Sequence, residues 1–250
     1  LSGSILEYCR VEYGGGTGYH VVENATYINA CTFTNNSGYA AVDASFYVGG
    51  DGFIDPQYKP VRIINSVFSQ NSSAITGAMN ATIKGNTISN SGGIHVWGGD
   101  TSITDNVIIN AAGCSYCGAI SGNIENDSTV VISGNHIRDN SRHGMYIFSQ
   151  NNGALTVTIS NNIIVRNSGS GIVAGGLPGN CCFWGNGGAT INVTSNYIAD
   201  NSSGRGGGIY VWDGGLTVNV RYNRIHNNNA PDGSALYILD NQNHECDQQL

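Results

Sequence analysis

Charged side chains, proline and lysine are scarce in this 250-residue chain. Asp, Glu, Lys and Arg together make up 11% of the residues, and the chain has only 4 Pro and 10 Lys+Arg. Disordered chains are rich in Pro, Lys and Glu, so this composition disfavours disorder. The net charge of −7 disfavours a nucleic-acid partner, because phosphate binding needs clustered Lys and Arg.

Long apolar runs are also missing. No stretch approaches the roughly 20 apolar residues of a membrane-spanning helix, so the sequence predicts no membrane span. Repeats begin almost at once, at Ile5, with nothing before them that resembles the cap of a solenoid, so we expect a segment of a longer chain. Seven Cys and a low Lys content favour an extracellular or cell-surface location.

Gly and Asn are abundant, and they recur in a pattern. Each repeat reads I-x-x-N-x-I-x-x-N, followed by a Gly-containing turn and then by two apolar residues with one residue between them. The pattern is clearest in residues 157–173, and it recurs at 132–147, 193–211 and 220–238. Alternation of apolar and polar residues within each repeat predicts short strands. Repetition at this length predicts a solenoid in which each repeat is one stacked unit.

The central apolar residues of the repeats define the coils. Successive spacings are 20 to 35 residues, which indicates a basic coil of about twenty residues with inserted loops; the central residues are Val11, Phe33, Phe68, Ile88, Ile108, Ile137, Ile164, Ile198 and Ile225. About nine coils at ~4.8 Å each would form a rod about 40 Å long. We expect a single domain over residues 1–250, with core coils at about 4–239 and a tail at 240–250. The expected loops, along one edge of the rod, are 43–60, 111–129, 149–154 and 174–189.

Two rows of Asn accompany the central residues. One lies two residues before them (Asn86, Asn106, Asn135, Asn162, Asn196, Asn223) and the other three residues after them (Asn36, Asn71, Asn140, Asn167, Asn201, Asn228). Asn tolerates the left-handed backbone of tight turns, and stacked amides can hydrogen-bond to one another. We interpret both rows as structural.

Over residues 4–239 the pattern resembles the right-handed parallel β-helix repeats of the pectin-lyase-like solenoids. The opening ILEYCRVEYGG (5–15) is similar to an internal coil of the longer bacterial surface proteins in that group. The resemblance implies an all-β, right-handed parallel β-helix. It implies little about function, because the group includes lyases, hydrolases, epimerases, phage spikes, adhesins and inert scaffolds.

The cysteines fall into three sets. Cys9 and Cys31 are separated by the same interval as Val11 and Phe33, so they occupy equivalent positions of adjacent coils, and we predict a disulfide between them; two stacked free thiols are the alternative. Cys114, Cys117, Cys181 and Cys182 lie in inserted loops. We expect loop-pinning disulfides there rather than zinc, because adjacent Cys181 and Cys182 suit tetrahedral ligation poorly. Cys246 makes the count odd and could pair between chains.

Larger side chains alternate with aliphatic ones in the third strand of several coils. If the aliphatic residues face the core, the larger ones project outward in two rows, which together we call the aromatic stripe: His95, Tyr146, Tyr210 and Tyr237 in one row, and Trp97, Phe148 and Trp212 in the next. An exposed aromatic stripe favours sugar stacking or a protein interface. Burial of the stripe under loops 43–60 and 174–189 is the alternative.

One charged cluster is a weak candidate for catalysis. Arg142, His143, Arg205 and Asp232 fall in equivalent turns and could supply a base and an anion clamp. Polysaccharide lyases of this fold use a basic residue with calcium or Arg, and hydrolases use paired carboxylates. No carboxylate pair falls on the outward strand positions, and Lys59 and Lys84 are the only lysines.

Our first functional interpretation is therefore an extracellular, non-catalytic structural, filament-forming or adhesive module. It would associate with itself or with other surface proteins, and it would need no cofactor. The alternative is a polysaccharide-active enzyme (lyase, hydrolase or epimerase) or a carbohydrate-binding module that uses the aromatic stripe, with calcium if it is a lyase.

Overall fold

The computed structural model describes residues 4–14, 21–22, 25–38, 40–44, 60–112, 118–124, 128–149, 155–176, 189–213 and 216–240. Twenty-six strands occupy these residues, and all pairs between them are parallel. They form three sheets, which we call A, B and C in the order in which the chain enters them.

Sheets A and B have nine strands each. Sheet A contains β1 (Ser4–Glu7), β3 (Ala25–Asn29), β6 (Val61–Ile64), β9 (Ala81–Lys84), β12 (Thr101–Thr104), β15 (Thr129–Ser133), β18 (Thr156–Ser160), β21 (Thr190–Thr194) and β24 (Thr217–Arg221). Sheet B contains β2 (Arg10–Glu12), β4 (Thr32–Thr34), β7 (Val67–Ser69), β10 (Thr87–Ser89), β13 (Val107–Ile109), β16 (His136–Arg138), β19 (Ile163–Val165), β22 (Tyr197–Ala199) and β25 (Arg224–His226).

Sheet C has eight strands within the described residues. They are β5 (Val42–Asp43), β8 (Ile75–Met79), β11 (Ile94–Gly98), β14 (Gly118–Ile124), β17 (His143–Ser149), β20 (Ile172–Gly176), β23 (Ile209–Asp213) and β26 (Leu236–Asp240). From β3 onwards the chain thus passes through one strand of each sheet in turn, and each strand pairs with its counterpart in the next coil. This is a parallel β-helix, as the sequence predicted.

The central residues stack in the predicted register. Val11 pairs with Phe33, Phe33 with Phe68, and so on through Ile198 with Ile225. All the members from Phe33 to Ile198 are fully buried, and the Phe33 and Phe68 rings stack with centroids 4.9 Å apart. Sheet B therefore contributes one continuous row of apolar side chains to the core.

Each coil turns sharply before and after its sheet B strand. Both corners contain one residue with a left-handed backbone; before the strand these include Ala30, Asn65, Asp105 and Tyr222, and after it Gln70, Arg166 and Asp200, all with φ between 48° and 58°. We expected Asn of the two rows to adopt this conformation. The left-handed residue instead directly precedes each Asn, and several residue types occupy it because its side chain points away from the core.

The Asn rows themselves are buried hydrogen-bond ladders, as predicted. The Asn162 Oδ1 accepts hydrogen bonds from the backbone N–H and Nδ2 of Asn135, at 2.9 and 3.0 Å, and its own Nδ2 donates to the Asn196 Oδ1 at 2.9 Å. The second ladder repeats this geometry from Asn140 through Asn167 to Asn201. It is interrupted at Ala111, whose methyl group offers no acceptor to the coil before it.

The predicted Cys9–Cys31 disulfide is wrong, since both cysteines are free thiols. They occupy the first ladder at the positions that Asn holds in later coils. The Cys31 Sγ accepts a hydrogen bond from the backbone N–H of Cys9 at 3.4 Å, and the Ser66 Oγ accepts one from the backbone N–H of Cys31 at 3.1 Å. Each thiol also donates to the carbonyl two residues earlier, so the two side chains run parallel instead of converging. Cys114, Cys117, Cys181, Cys182 and Cys246 lie outside the described residues.

One predicted loop is not a loop. Residues 111–129 include β14, which completes sheet C between β11 and β17. The expected loop 174–189 likewise overlaps β20 at its start. Most residues of the expected loops 43–60 and 149–154 lie outside the described residues, and so do residues 177–188.

Candidate functional site

The outer face of sheet C carries the aromatic stripe. The register aligns His95, Ser121, Tyr146, Val173, Tyr210 and Tyr237 in one outward row. A second row aligns Phe148, Gly175, Trp212 and Leu239. The aliphatic residues between them, such as Val96 and Ile147, are buried in the core. The predicted orientation of the stripe is therefore correct.

The stripe differs from the prediction in two respects. It is interrupted at β14 by Ser121 and at β20 by Val173 and Gly175. In addition, Phe148 is 0% exposed, because its ring stacks on Tyr146 at 4.4 Å and meets Trp212 edge to face at 6.0 Å. Phe148 thus supports its neighbours, while Tyr146, Tyr210 and Trp212 remain partly exposed.

A groove lies over the interruption at β20. Its cavity volume is about 400 Å³, and the described residues that line it are His143, Tyr146, Phe148, Val173, Ser203, Gly204, Arg205, Tyr210 and Trp212. Val173 and the surrounding rings form an apolar floor. The corner between Asn201 and Gly208 is three residues longer than the one between Asn167 and Gly171, and this longer corner forms a wall with Ser203, Gly204 and Arg205. The volume suits one or a few sugar rings or a group of similar size.

Arg205 is held at the groove by the aromatic residues around it. A hydrogen bond with Tyr210, reinforced by the phenol groups of Tyr237 and Tyr210, raises the pKa of Arg205 above its ordinary value. Its guanidinium lies 5.8 Å from the centre of the Tyr237 ring, and its Nε lies 3.5 Å from the Asp232 Oδ2. The side chain is therefore a half-exposed cationic donor with one carboxylate beside it.

His143 is a neutral donor at the same groove. Burial, with a smaller effect from the charge of Arg142, lowers the pKa of His143 to about 4. The backbone N–H of Ser170 donates to its Nδ1 at 2.9 Å. Because Nδ1 accepts this bond, the proton of the neutral ring resides on Nε2. His143 can thus donate a hydrogen bond to a ligand near neutral pH, and it is a poor general base there.

This environment predicts a pH dependence of stability. The pKa of His143 is near 6.5 in an unfolded chain and about 4 in the folded protein. Between these values the unfolded chain binds a proton that the folded protein does not. The neutral His143 ring therefore makes its full contribution to the free energy of unfolding above about pH 6.5, and this contribution is lost as the pH falls towards 4. An NMR titration should give a His143 midpoint near 4, with the resonance assigned by its disappearance in His143→Gln; a midpoint near 6.5 would contradict the buried, hydrogen-bonded ring.

Trp212 presents an unpaired donor beside the groove. Its Nε1 is buried and has no hydrogen-bond partner among the residues that the structure describes. The neighbouring strand provides Gly175, at which a Cβ would lie 2.7 Å from the Trp212 carbonyl oxygen and 2.9 Å from its Cβ. Only glycine allows this close approach. Among the described residues, this N–H is thus a buried donor left without an acceptor, which is uncommon in folded proteins.

The remaining candidates lie outside the groove. His95 and Trp97 lie on β11, four strands from β23, and the Trp97 Nε1–H donates to the His95 Nδ1 at 3.0 Å. Arg142 is exposed and acts on the groove only through its charge on His143. Sequence reasoning missed Ser203, Gly204 and Val173; the extra length of the 201–208 corner was the available signal for the first two.

Among the residues that the structure describes, no three His, Cys, Asp or Glu side chains come together as a metal site. The same part of the chain contains no helix long and apolar enough to cross a membrane.

Comparison with known proteins supports the fold. The family model described as "Right handed beta helix region" matches residues 53–196, which is more than half of the chain. No curated protein and no solved structure matches the sequence significantly. The stacked parallel strands and the family match agree, and the chain belongs to the right-handed β-helix family.

Proposed function

We propose that the protein is an extracellular, non-catalytic adhesive module that binds a glycan in the groove on sheet C. The observation that carries the proposal is the combination of partly exposed Tyr146, Tyr210 and Trp212 with the donors of His143 and Arg205 around one cavity. Aromatic faces stack on the C–H faces of sugar rings, and the donors suit sugar oxygens.

Binding is favoured over catalysis by the chemistry of the lining residues. None of those that the structure describes is Asp or Glu, whereas glycosidases use two carboxylates that flank the bond. His143 has its Nδ1 occupied and a pKa of about 4, which suits a fixed donor better than a base. The alternative of a polysaccharide lyase, hydrolase or epimerase, with calcium if a lyase, has no comparable support from the groove.

Head-to-tail self-association, the other use predicted for the rod, stays a prediction. Leu236 and Ile238 occupy core-facing positions of β26 and are 38% and 58% exposed, and contacts between copies could cover them. Light scattering over a range of protein concentrations tests this separately from sugar binding.

A glycan array with the purified protein tests the proposed function. We expect at least one glycan to bind, and Tyr210→Ala combined with Trp212→Ala to weaken that binding at least about tenfold, since aromatic anchors dominate such sites. The matched control is Tyr222→Asn, which removes an exposed ring at a left-handed corner where Asn is well tolerated. If no glycan binds, or if the double variant binds as the original does, the proposal is wrong.

A further inference from the structure

Pairs of aromatic residues recur on sheet C at every second coil from β11 to β23. Strand β11 carries His95 and Trp97, β17 carries Tyr146 and Phe148, and β23 carries Tyr210 and Trp212. The strands between them carry smaller residues in the first outward row, Ser121 on β14 and Val173 on β20. Within the described residues, the outer face therefore carries three aromatic platforms, that of β17 being Tyr146 stacked on the buried Phe148. Gaps separate them at β14 and at β20, where the groove lies.

The spacing of the platforms follows from the fold. Neighbouring parallel strands lie about 4.8 Å apart, so platforms two strands apart repeat every ~9.6 Å along the rod axis. This distance is about the length of two sugar rings in an extended β-1,4-linked chain. In such a chain alternate rings present the same face to the same side, so every second ring would meet a platform in the same way. Helical α-1,4-linked chains do not present equivalent faces at this interval.

We propose that the ligand is an extended β-1,4-linked polysaccharide lying along the rod axis, with alternate sugar rings on the platforms of β11, β17 and β23. This inference rests on the proposed glycan binding and specifies its class and direction. The groove at β20 would hold the ring between the platforms of β17 and β23. There the His143 Nε2–H and the Arg205 guanidinium would donate to oxygens of the ring substituents.

Two features limit where the chain of sugars lies. Tyr237 on β26 adjoins Tyr210, with ring centres 5.6 Å apart, and the Arg205 guanidinium covers it, so it extends the platform of β23 and is not a fourth one. At the opposite end, the Trp97 Nε1–H donates to the His95 Nδ1, and the two rings lie at 87° to each other. This hydrogen bond fixes the orientation of the platform of β11. A ligand must therefore span four strand intervals to reach both outer platforms.

Calorimetry with oligosaccharides of defined length tests the inference. The probes are cellotriose and cellohexaose, chitotriose and chitohexaose, and the α-1,4-linked maltohexaose. A trisaccharide can reach two neighbouring platforms, whereas a hexasaccharide can reach all three. We expect a β-1,4-linked hexasaccharide to bind at least about tenfold more tightly than its trisaccharide and than maltohexaose.

The platform of β11 offers the sharpest variant. Trp97→Ala should weaken hexasaccharide binding about fivefold and leave the binding of the trisaccharide to the groove unchanged. Because Trp97 also bonds to His95, His95→Ser is a second variant with the same expectation, and Tyr222→Asn is the control. Circular dichroism confirms that each variant is folded.

The outcomes separate the two proposals. If saccharides bind but chain length has no effect, if maltohexaose binds as tightly as the β-linked hexasaccharides, or if both β11 variants bind the hexasaccharide normally, this inference is overturned while glycan binding stands. If neither these oligosaccharides nor any array glycan binds, the proposed function fails and the inference with it.

Discussion

Replacing Asn162 by Ala should lower the free energy of unfolding by about 3 kcal/mol, because it leaves several buried polar groups without partners at once. The Asn162 Oδ1 accepts from the backbone N–H and the Nδ2 of Asn135, and its Nδ2 donates to the carbonyl of Ile132 and to the Asn196 Oδ1. These groups lie in the interior, where water cannot replace the lost amide. Urea unfolding followed by circular dichroism measures the change.

The control for Asn162 is an Asn in a surface ladder. The Asn219 Nδ2 donates to the Asn192 Oδ1 at 3.0 Å on the outer face of sheet A, where water can take over the bond. Asn219→Thr should therefore change the free energy of unfolding by less than about 0.5 kcal/mol. Equal effects of the two substitutions would show that burial of the ladder does not determine its contribution.

Removing the Phe68 ring should destabilise the protein by about 3–5 kcal/mol. The ring is 0% exposed and stacks on Phe33 with an interplanar angle of 5°. Phe68→Ala leaves a cavity in the row of central residues, and the rigid coils above and below cannot collapse into it. Chemical unfolding of the variant gives the value directly.

Val67 provides the comparison for Phe68 on the same strand. Its side chain points to the opposite face and is 40% exposed, so Val67→Ala should cost less than about 1 kcal/mol. A small effect of Phe68→Ala, comparable with that of Val67→Ala, would mean that the core around the two rings is loosely packed.

The fold could be predicted because its determinants are local and repeated. The spacing of Ile137, Ile164 and Ile198 sets the register of sheet B, and that of Asn135, Asn162 and Asn196 sets a buried ladder beside it. Strand β14 was missed because its sequence, GAISGNI, places Gly122 at a core-facing position and so breaks the alternation. Its place in sheet C is determined by its neighbours β11 and β17 more than by its own residues.

The site could be predicted only in part. Equivalent turns suggested His143 and Arg205, and the alternation suggested Tyr146, Tyr210 and Trp212; all five line one groove. The burial of Phe148 and the unpaired N–H of Trp212 depend on how rings from different coils lean together, which no spacing reveals. The Cys9–Cys31 disulfide was wrongly predicted for a similar reason. Equivalent positions in adjacent coils bring two side chains near each other, but they also make them parallel, so the two thiols do not converge.

The interruption of the second ladder at Ala111 bears on how the rod would respond to mechanical force. Tension along the rod axis acts along the hydrogen bonds between coils, so the three sheets and the side-chain ladders share the load at the junctions between coils. The junction between Ser91 and Ala111 shares it among fewer bonds, because the bond from the Asn71 backbone to the Ser91 Oγ has no equivalent one coil further on. Under tension this junction would therefore yield more easily than the junctions on either side of it in the second ladder, and an acceptor at position 111 would strengthen it.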